Sequence, residues 1–253
     1  VWPGLVHPDD LVHVLAEYQR HLDGVSPSYN VEYRAQHKKG HWVWLNCRGR
    51  VIQTNEAGKP TRLAGTLMDI TERKKSEDTI RQMAFQDVLT GLPNRRLLMD
   101  RLQRAVEANV RNKQHGALLF LDLDHFKKLN DSLGHDVGDL LLQQVAERLK
   151  NSVRGVDTVA RLGGDEFVVL IEDLHVNATE ARLQAQIVGE KILAALNEPY
   201  QLGEHAFLST PSIGATIFND TIRSPSEVLK QADVAMYEAK ENGRNTLTFA
   251  VDR

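Results

Sequence analysis

Two clusters of acidic residues, each placed beside apolar segments, are the residues of this sequence best suited to chemistry. The first lies at the end of the strand-like run 117–123, which includes Asp122 and is followed directly by Asp124. The second is Gly163-Gly164-Asp165-Glu166, which lies between two apolar segments and predicts a β-hairpin tip. A tight turn with a solvated tip would explain the second cluster alone. Because adjacent glycines admit a bulky ligand and carboxylates suit a divalent cation, the two clusters together predict a metal and nucleotide site.

Composition restricts the classes of protein to which this chain can belong. Its 253 residues fit one large domain or two smaller ones, and the 42% hydrophobic content is that of a globular protein. A net charge of −3 argues against DNA or RNA as partners. The single cysteine, Cys47, excludes an intrachain disulfide. No apolar run reaches the roughly 18 residues of a membrane span. We therefore expect a cytoplasmic fragment without membrane contact, and the start at Val1 leaves a membrane-tethered parent open.

The first 70 residues predict one helix followed by three antiparallel strands. The helix begins at Pro8, where two acids follow, and ends at Asp23-Gly24. The predicted strands are 29–36, 42–54 and 63–69. Trp42 and Trp44 share one face of a strand, where a packing role is favoured over a ligand cage.

The run 71–86 predicts a highly charged helix between this part of the chain and the rest. Asp69 and Glu72 have the spacing of a capping box at its start. A weak coiled-coil seam, through which the helix would pair with its own copy, is formed by Ser76, Ile80 and Met83. A solvated linker helix explains the same pattern equally well.

The remaining residues predict an α+β domain with a mainly antiparallel central sheet flanked by helices, because hairpin strands are mixed with helices along the chain. The loop 87–96 opens it, and Asp87 and Arg95 are expected to have structural rather than catalytic roles. The predicted helices cover 97–106, 125–131, 140–149, 181–196 and 226–241. Besides the hairpin, the predicted strands are 117–123, 207–218 and 246–251, with Gly214 at a close approach.

The acidic clusters resemble those of the diguanylate cyclase, or GGDEF, family. The resemblance is carried by Gly163-Gly164-Asp165-Glu166-Phe167 and by 117–131, and it implies that the GGDEF domain covers 87–253.

Residues 1–70 resemble the C-terminal half of a PAS sensor domain. The segments that carry this resemblance are His7-Pro8-Asp9-Asp10, Glu32-Tyr33-Arg34, 40–44 and 65–71. The charged helix 71–86 is similar to the signalling helix that joins PAS and GGDEF domains.

The resemblance implies a metal centre formed by Asp122, Asp165 and the backbone carbonyl of Leu123. Hard oxygen ligands and a substrate that carries phosphates favour Mg²⁺, with Mn²⁺ as an alternative. In the family, the residue at the position of Asp165 is also the proposed base for the ribose 3′-hydroxyl. Glu166 lies beside it, and Lys127 matches a lysine that stabilises the reacting phosphates.

The helix that begins near residue 125 is expected to contribute through its backbone as well. The N–H groups from His125 to Lys127 would face phosphate oxygens, as helix N-termini do. For Asp124, a role as the N-cap of this helix is favoured over metal ligation.

Further residues match positions that bind the nucleotide in the family. Asn130 and Asp139 would read the guanine edge, to which an amide and a carboxylate are suited. Lys240 and Arg244 would hold the triphosphate, although cations near a helix C-terminus also complement the helix dipole. The other residues expected at the substrate site are Phe126, His135, Gly163 and Gly164.

Arg154 and Asp157 have the spacing of the inhibitory RxxD motif of the family, which binds the cyclic dinucleotide product. The alternative is an ordinary surface ion pair three residues apart.

The resemblance implies a sensor-regulated enzyme that condenses two GTP molecules into cyclic di-GMP and two pyrophosphates across a symmetric homodimer. A binding module that holds GTP or cyclic di-GMP without turnover is the alternative. Such a module would regulate a partner or a downstream EAL phosphodiesterase domain, since 92–98 and 235–240 are similar to domains that precede one.

Overall fold

The computed structural model describes residues 2–219 and 224–251, and the chain divides into two compact units between residues 81 and 82. In the first unit, helix α1 (Pro8–Leu22) precedes an antiparallel sheet. Its strands lie in the order β1 (Tyr29–Gln36), β2 (Trp42–Thr54) and β3 (Pro60–Asp69). The predicted helix and strands are confirmed, except that β3 begins earlier than expected.

Helix α1 packs against β1, whose alternate side chains are buried. Val14 of α1 and Val31 of β1 are part of this small core. The two tryptophans lie outside it. Trp42 is 43% exposed and meets the His7 ring edge to face, and Trp44 lies beneath the cations of Arg34 and Lys74. They pack against polar neighbours, and the core forms without them.

Helix α2 (Thr71–Phe85) follows β3 directly. The predicted capping box is wrong, because the helix begins at Thr71 and Glu72 therefore lies one position too early. Asp69 accepts a hydrogen bond from the Thr71 N–H at 2.8 Å, and Glu72 pairs instead with Lys75. Ile80 is 66% exposed, so the apolar seam is accessible, and both interpretations of this helix stay open.

The second unit is built on a five-stranded sheet with β4 (His115–Leu123) at its centre. Antiparallel neighbours flank it, β6 (Glu166–Leu174) and β9 (Pro211–Phe218). The edges are β5 (Thr158–Gly163), antiparallel to β6, and β10 (Leu247–Phe249), parallel to β9. This arrangement confirms the predicted α+β class with a mainly antiparallel sheet.

Helices cover both faces of this sheet, because successive side chains of a strand point to opposite sides. Leu118 and Phe120 face α3 (Arg95–Asn112) and α7 (Pro225–Glu241). Leu119 and Leu121 face α5 (His135–Ser152) and α6 (Ala178–Asn197), and the short α4 (Phe126–Leu133) follows β4. Gly214 of β9 lies so close to α7 that a Cβ atom would clash with Met236 N and Ala232 O. Across the described ranges, no helix is long and apolar enough to cross a membrane.

Two predictions for this unit are wrong. The segment 207–218 is not one strand, because β7 (Tyr200–Leu202) and β8 (His205–Phe207) form a separate small hairpin and β9 begins only at Pro211. Proline lacks an N–H, and the Thr210 carbonyl accepts a hydrogen bond from Asp124, so the chain turns into the sheet here. The helix predicted over 140–149 begins too late, since α5 starts at His135; Leu140 on it is 41% exposed and Leu141 is buried.

Candidate active site

The hairpin of β5 and β6 places two acidic residues at one edge of the sheet. Gly163 pairs with Glu166, which leaves Gly164 and Asp165 as a two-residue tip. Gly163 has φ of 146° and Gly164 has φ of 52°, both in the region that glycine adopts readily. The predicted hairpin is therefore confirmed, but its two-residue tip holds one glycine, because Gly163 is the last residue of β5.

The end of β4 lies directly beside this hairpin. Asp122 is opposite Glu166 in the antiparallel register, and Leu123 ends the strand. Lys240, in the last turn of α7, places its Nζ 2.8 Å from Asp122 Oδ1. Residues from three separate elements, 122, 166 and 240 in the chain, thus meet at the same end of the sheet.

The electrostatics of this meeting point are those of crowded carboxylates. Burial raises the pKa of Asp122 to about 6, and the charges of Asp165 and Glu166 contribute to the rise while Lys240 opposes it. Burial also raises the pKa of Glu166, with Asp233 and Asp165 adding to the effect. A divalent cation would relieve this repulsion.

The donor set fits a hard cation that keeps part of its shell for substrate and water. Asp122, Asp165 and the carbonyl of Leu123 offer oxygen only, which suits Mg²⁺. In the part of the chain that the structure describes, no group of three or more His, Cys, Asp or Glu side chains could hold a metal ion. The proposed set needs two side chains and one backbone oxygen.

A second group of predicted residues meets where α4 faces α5. Asn130 Oδ1 is buried and has no hydrogen-bond partner. A Cβ atom at Gly138 would clash with this oxygen and lie 3.2 Å from the Phe126 ring, so the glycine keeps a small recess open. Asp139 follows directly and is exposed. A buried acceptor without a partner is unusual, and the glycine beside it is followed in the chain by a second, exposed acceptor.

The first turn of α4 and the start of α5 carry two further predicted residues. Lys127 is exposed in α4, and His135 is the exposed first residue of α5. Lys128 and Leu129 donate to the His125 carbonyl. The N–H groups of the preceding residues have no partner within the helix, as at any helix N-terminus.

The predicted N-cap role of Asp124 is wrong. His125 occupies the N-cap position with φ of 63°, and no side chain caps the helix there. The Asp124 carboxylate is buried and accepts hydrogen bonds from Thr210 Oγ1 at 2.6 Å and Ser212 Oγ at 2.7 Å. A buried carboxylate needs hydrogen-bond donors, and Ser212 of β9 and Thr210, which directly precedes β9, supply them.

Arg244 lies where the chain leaves α7, four residues after Lys240. It is exposed and has φ of 65°, and its N–H donates to the Ala239 carbonyl at 3.1 Å. Asn245 follows with φ of 46°. The backbone of the second predicted triphosphate ligand is therefore held in the left-handed region.

Sequence reasoning missed Arg161, two residues before Gly163. Its guanidinium donates to both carboxylate oxygens of Asp87, at 3.0 and 3.1 Å, and to the Gly164 carbonyl, at 3.0 and 2.7 Å. Burial opposes ionisation of Asp87, but hydrogen bonds from Thr90 and Arg161 hold its pKa below the ordinary value. This agrees with a structural role for Asp87. The one signal in the sequence was a cation beside the turn.

Arg95, the other residue of this loop with an expected structural role, is the first residue of α3. It is close enough to Glu166 to oppose the rise in that carboxyl's pKa. Arg95 thus lies at the edge of the acidic cluster. Its predicted structural role stays a prediction.

The predicted inhibitory pair lies at the other end of β5, about 17 Å along the strand from the hairpin tip. Asp157 is buried and accepts from the Arg154 N–H at 2.9 Å and the Glu172 N–H at 3.4 Å. The Arg154 side chain is exposed. The alternative interpretation as a surface ion pair is wrong, since no salt bridge joins the two side chains among the described residues. Asp157 instead accepts backbone hydrogen bonds that hold the loop.

The fold and this acidic edge define the class of the protein. The family model "Diguanylate cyclase, GGDEF domain" matches residues 84–246, more than half of the chain, and a model of the PAS fold matches 1–67. The chain belongs to the GGDEF diguanylate cyclase family, with a PAS-like fragment at its N-terminus.

A curated relative is consistent with this class. The chain is 42% identical over 186 residues to the bifunctional diguanylate cyclase/cyclic di-GMP phosphodiesterase MucR of Pseudomonas aeruginosa, over 74% of this chain and 26% of that protein. It thus spans about a quarter of that relative.

Two solved structures are similar as well. The GGDEF domain of TpbB from Pseudomonas aeruginosa matches with a TM-score of 0.62 at 36% identity, covering 66% of this chain and 94% of that one. The coiled coil and GGDEF domain of DgcB from Caulobacter crescentus, in complex with c-di-GMP, matches with a TM-score of 0.63 at 27% identity, covering 72% and 93%.

Proposed function

We propose that this chain is a diguanylate cyclase that condenses two GTP molecules into cyclic di-GMP and two pyrophosphates. The observation that carries the proposal is the meeting of Asp122, Glu166 and Lys240 at the hairpin edge, where crowded acids lie beside a lysine. Nucleotidyl transfer needs positioned charge more than covalent chemistry, and this edge offers both signs of charge.

The metal chemistry follows from the donor set. Asp122, Asp165 and the Leu123 carbonyl would hold Mg²⁺ or Mn²⁺, which neutralises charge on the reacting phosphates when it is bound. Asp165, at the hairpin tip, would accept the proton of a ribose 3′-hydroxyl. Glu166 adds a further carboxylate to the same acidic edge. Lys240, now paired with Asp122, would turn to the triphosphate together with Arg244, and Lys127 would contact the phosphates from α4.

The recess between α4 and α5 suits guanine. The orphan Oδ1 of Asn130 and the carboxylate of Asp139 are both acceptors, and guanine presents two neighbouring N–H donors on its Watson–Crick edge. Adenine lacks the ring N–H. Phe126 beside Asn130 offers an apolar surface to the base, His135 lies at the same helix junction, and Gly163 and Gly164 let the backbone approach the nucleotide.

The assembly and its control follow from the chemistry. One site holds one GTP, so each 3′-hydroxyl attacks the α-phosphate of the other nucleotide only when two chains face each other as a symmetric homodimer. The PAS-like part and α2 would control this encounter. Product bound at Arg154 and Asp157 would inhibit it, and Arg154→Ala should then remove inhibition by added cyclic di-GMP. Unchanged inhibition would count against that site.

The test is product analysis after incubation with GTP and Mg²⁺. We expect cyclic di-GMP from the unsubstituted chain, none from Asp165→Ala, and none when ATP replaces GTP. Asp100→Ala, which removes an exposed acid of α3 paired with Arg104, is the matched control and should retain full activity. Product from Asp165→Ala at the parent rate would contradict the proposed site.

A binding module without turnover is the second candidate. It is favoured by the cyclic di-GMP phosphodiesterase NbdA of Pseudomonas aeruginosa, which is 40% identical to this chain over 172 residues and whose name includes no cyclase activity. Such a module would hold GTP or cyclic di-GMP and regulate a partner or a downstream EAL domain. Tight GTP binding with no product from the unsubstituted chain would favour it.

A further inference from the structure

We propose that Asp124 is a positioning residue, whose carboxylate holds the loop after α7 so that Arg244 is directed at the triphosphate. The inference rests on the proposed function, since it assigns to Asp124 a role in nucleotide binding that it fulfils through Arg244. Asp124 itself would touch neither the metal nor the substrate.

The first observation is how the buried carboxylate is satisfied. Asp124 is 6% exposed, and both of its oxygens accept hydrogen bonds. Ser212 Oγ donates to Oδ1, while Thr210 Oγ1 and the backbone N–H of Asn245 donate to Oδ2, the last at 3.1 Å. Ser212 lies in β9, the strand next to β4, and Thr210 directly precedes that strand. The third comes from a loop 121 residues further along the chain.

The second observation is the strained backbone that this third hydrogen bond holds. Gly243, Arg244 and Asn245 have φ of 108°, 65° and 46°, three consecutive residues on the left-handed side. Residues other than glycine adopt this conformation at a cost in free energy, and arginine is a poor choice for it. The Arg244 N–H is fixed by the Ala239 carbonyl, and the peptide that follows Arg244 is fixed by Asp124. Both sides of the Arg244 Cα are therefore held.

The third observation is that the chain at the end of β4 contacts both the last turn of α7 and the loop that follows α7. Asp122 contacts Lys240 at 2.8 Å, and Asp124 contacts the backbone at Asn245. The two acids are two residues apart, and the two points of contact are five apart. The segment 122–124, which ends β4 and continues one residue past it, thus contacts both Lys240 and the loop of Arg244.

The test compares Asp124→Asn with Thr210→Val. Asparagine keeps the shape, and one hydroxyl can accept from its amide nitrogen, but it has one neutral acceptor oxygen in place of two charged ones and so binds the Asn245 N–H more weakly. Valine removes the 2.6 Å hydrogen bond to the same carboxylate and leaves the loop contact in place. We expect Asp124→Asn to weaken GTP binding at least fivefold and guanosine binding less than twofold. Thr210→Val should change neither by more than twofold, even if it lowers the melting temperature.

A double-mutant cycle shows whether Asp124 acts through Arg244. In the Arg244→Ala background, Asp124→Asn should cause no further loss of GTP affinity. An equal fivefold loss in both backgrounds would overturn the inference and leave the proposed function standing. If the unsubstituted chain does not bind GTP, or if Arg244→Ala and Lys240→Ala leave its affinity unchanged, the proposed function and the inference both fail.

A measurement on the unsubstituted chain applies even if Asp124→Asn does not fold. Hydrogen exchange at the Asn245 amide should be slow both with and without GTP, because the Asp124 carboxylate protects it before the nucleotide arrives. Exchange at the rate of an open loop without GTP would overturn the inference.

Discussion

At the residue scale, the proposed catalytic edge depends on side chains that touch no substrate. Arg161 joins the loop at Asp87 to the carbonyl of Gly164, next to the proposed base. Asp124 joins the end of β4 to the loop of Arg244. In both cases a charge-assisted hydrogen bond fixes backbone, and the flexible charged side chain that would meet the nucleotide extends from that fixed backbone.

Arg161→Met should lower both stability and activity. The substitution leaves the largely buried Asp87 without its cation and frees the Gly164 carbonyl, so the free energy of unfolding should fall by about 2 to 3 kcal/mol. Cyclase activity should fall at least tenfold at a temperature where the variant is folded, because the hairpin tip loses its tether. Chemical denaturation and initial rates measure the two effects. Arg104→Met removes an exposed arginine with one ion pair and should change neither. A folded Arg161→Met chain with parental activity would refute the positioning role.

At the element scale, α7 is the helix whose placement matters most. It carries Lys240 in its last turn and leads into the loop of Arg244, and its position against the sheet is set by the backbone contact at Gly214. Because the neighbouring atoms at Gly214 are backbone atoms of α7, the helix itself must move if a side chain is introduced there.

Gly214→Ala should therefore cost more than ordinary overpacking, about 3 kcal/mol or more of unfolding free energy. The displaced helix should also weaken GTP binding, since both triphosphate cations move with it. Gly155→Ala is the control, because a Cβ atom there meets nothing within 4 Å. Calorimetry and GTP titration of the two variants provide the comparison. A Gly214→Ala chain as stable as Gly155→Ala would show that α7 does not pack on β9 as described.

At the scale of the whole molecule, the two units can be followed separately. All three tryptophans, at positions 2, 42 and 44, belong to the first unit, so tryptophan fluorescence reports its unfolding alone. This unit contains a partly buried ion pair in which Arg34 donates to both oxygens of Asp10, at 2.9 and 2.7 Å. Product formation reports on the second unit.

The first unit should lose stability as the pH falls below about 4. Hydrogen bonds from Arg34, together with its charge, hold the pKa of Asp10 below the ordinary value despite partial burial. The unfolded chain then takes up a proton at about pH 3.9, before the folded chain does, so this stabilisation is present above that pH and lost below it. Urea unfolding followed by tryptophan fluorescence between pH 6 and 3 should show a shallower decline for Asp10→Asn. Asp9→Asn, at an exposed neighbour, should follow the parent, and equal slopes for all three chains would contradict the assignment.

Local pattern was enough to predict most of the fold. The spacing of apolar residues and turn residues predicted β1, β2 and the GGDEF hairpin, because each is determined by residues adjacent in sequence. The single strand 207–218 was wrong because the break at Thr210 depends on Asp124, 86 residues away. The wrong N-cap prediction for Asp124 and the failure to predict Arg161 at the site have the same cause. The hydrogen-bond partners of both residues lie far away in the sequence. The two acidic clusters predicted a shared site from their residue types, and the antiparallel register of β4 and β6 shows how they come together.

The most direct test of the account is the rate of pyrophosphate release from saturating GTP with Mg²⁺, measured over a hundredfold range of chain concentration. Since one site holds one GTP, we predict that the rate per chain rises with concentration and then levels off as dimers form. It should be absent from Asp165→Ala at every concentration. Pyrophosphate release at a constant rate per chain, or GTP binding with no release at any concentration, would contradict the claim that two chains bring two acidic edges together.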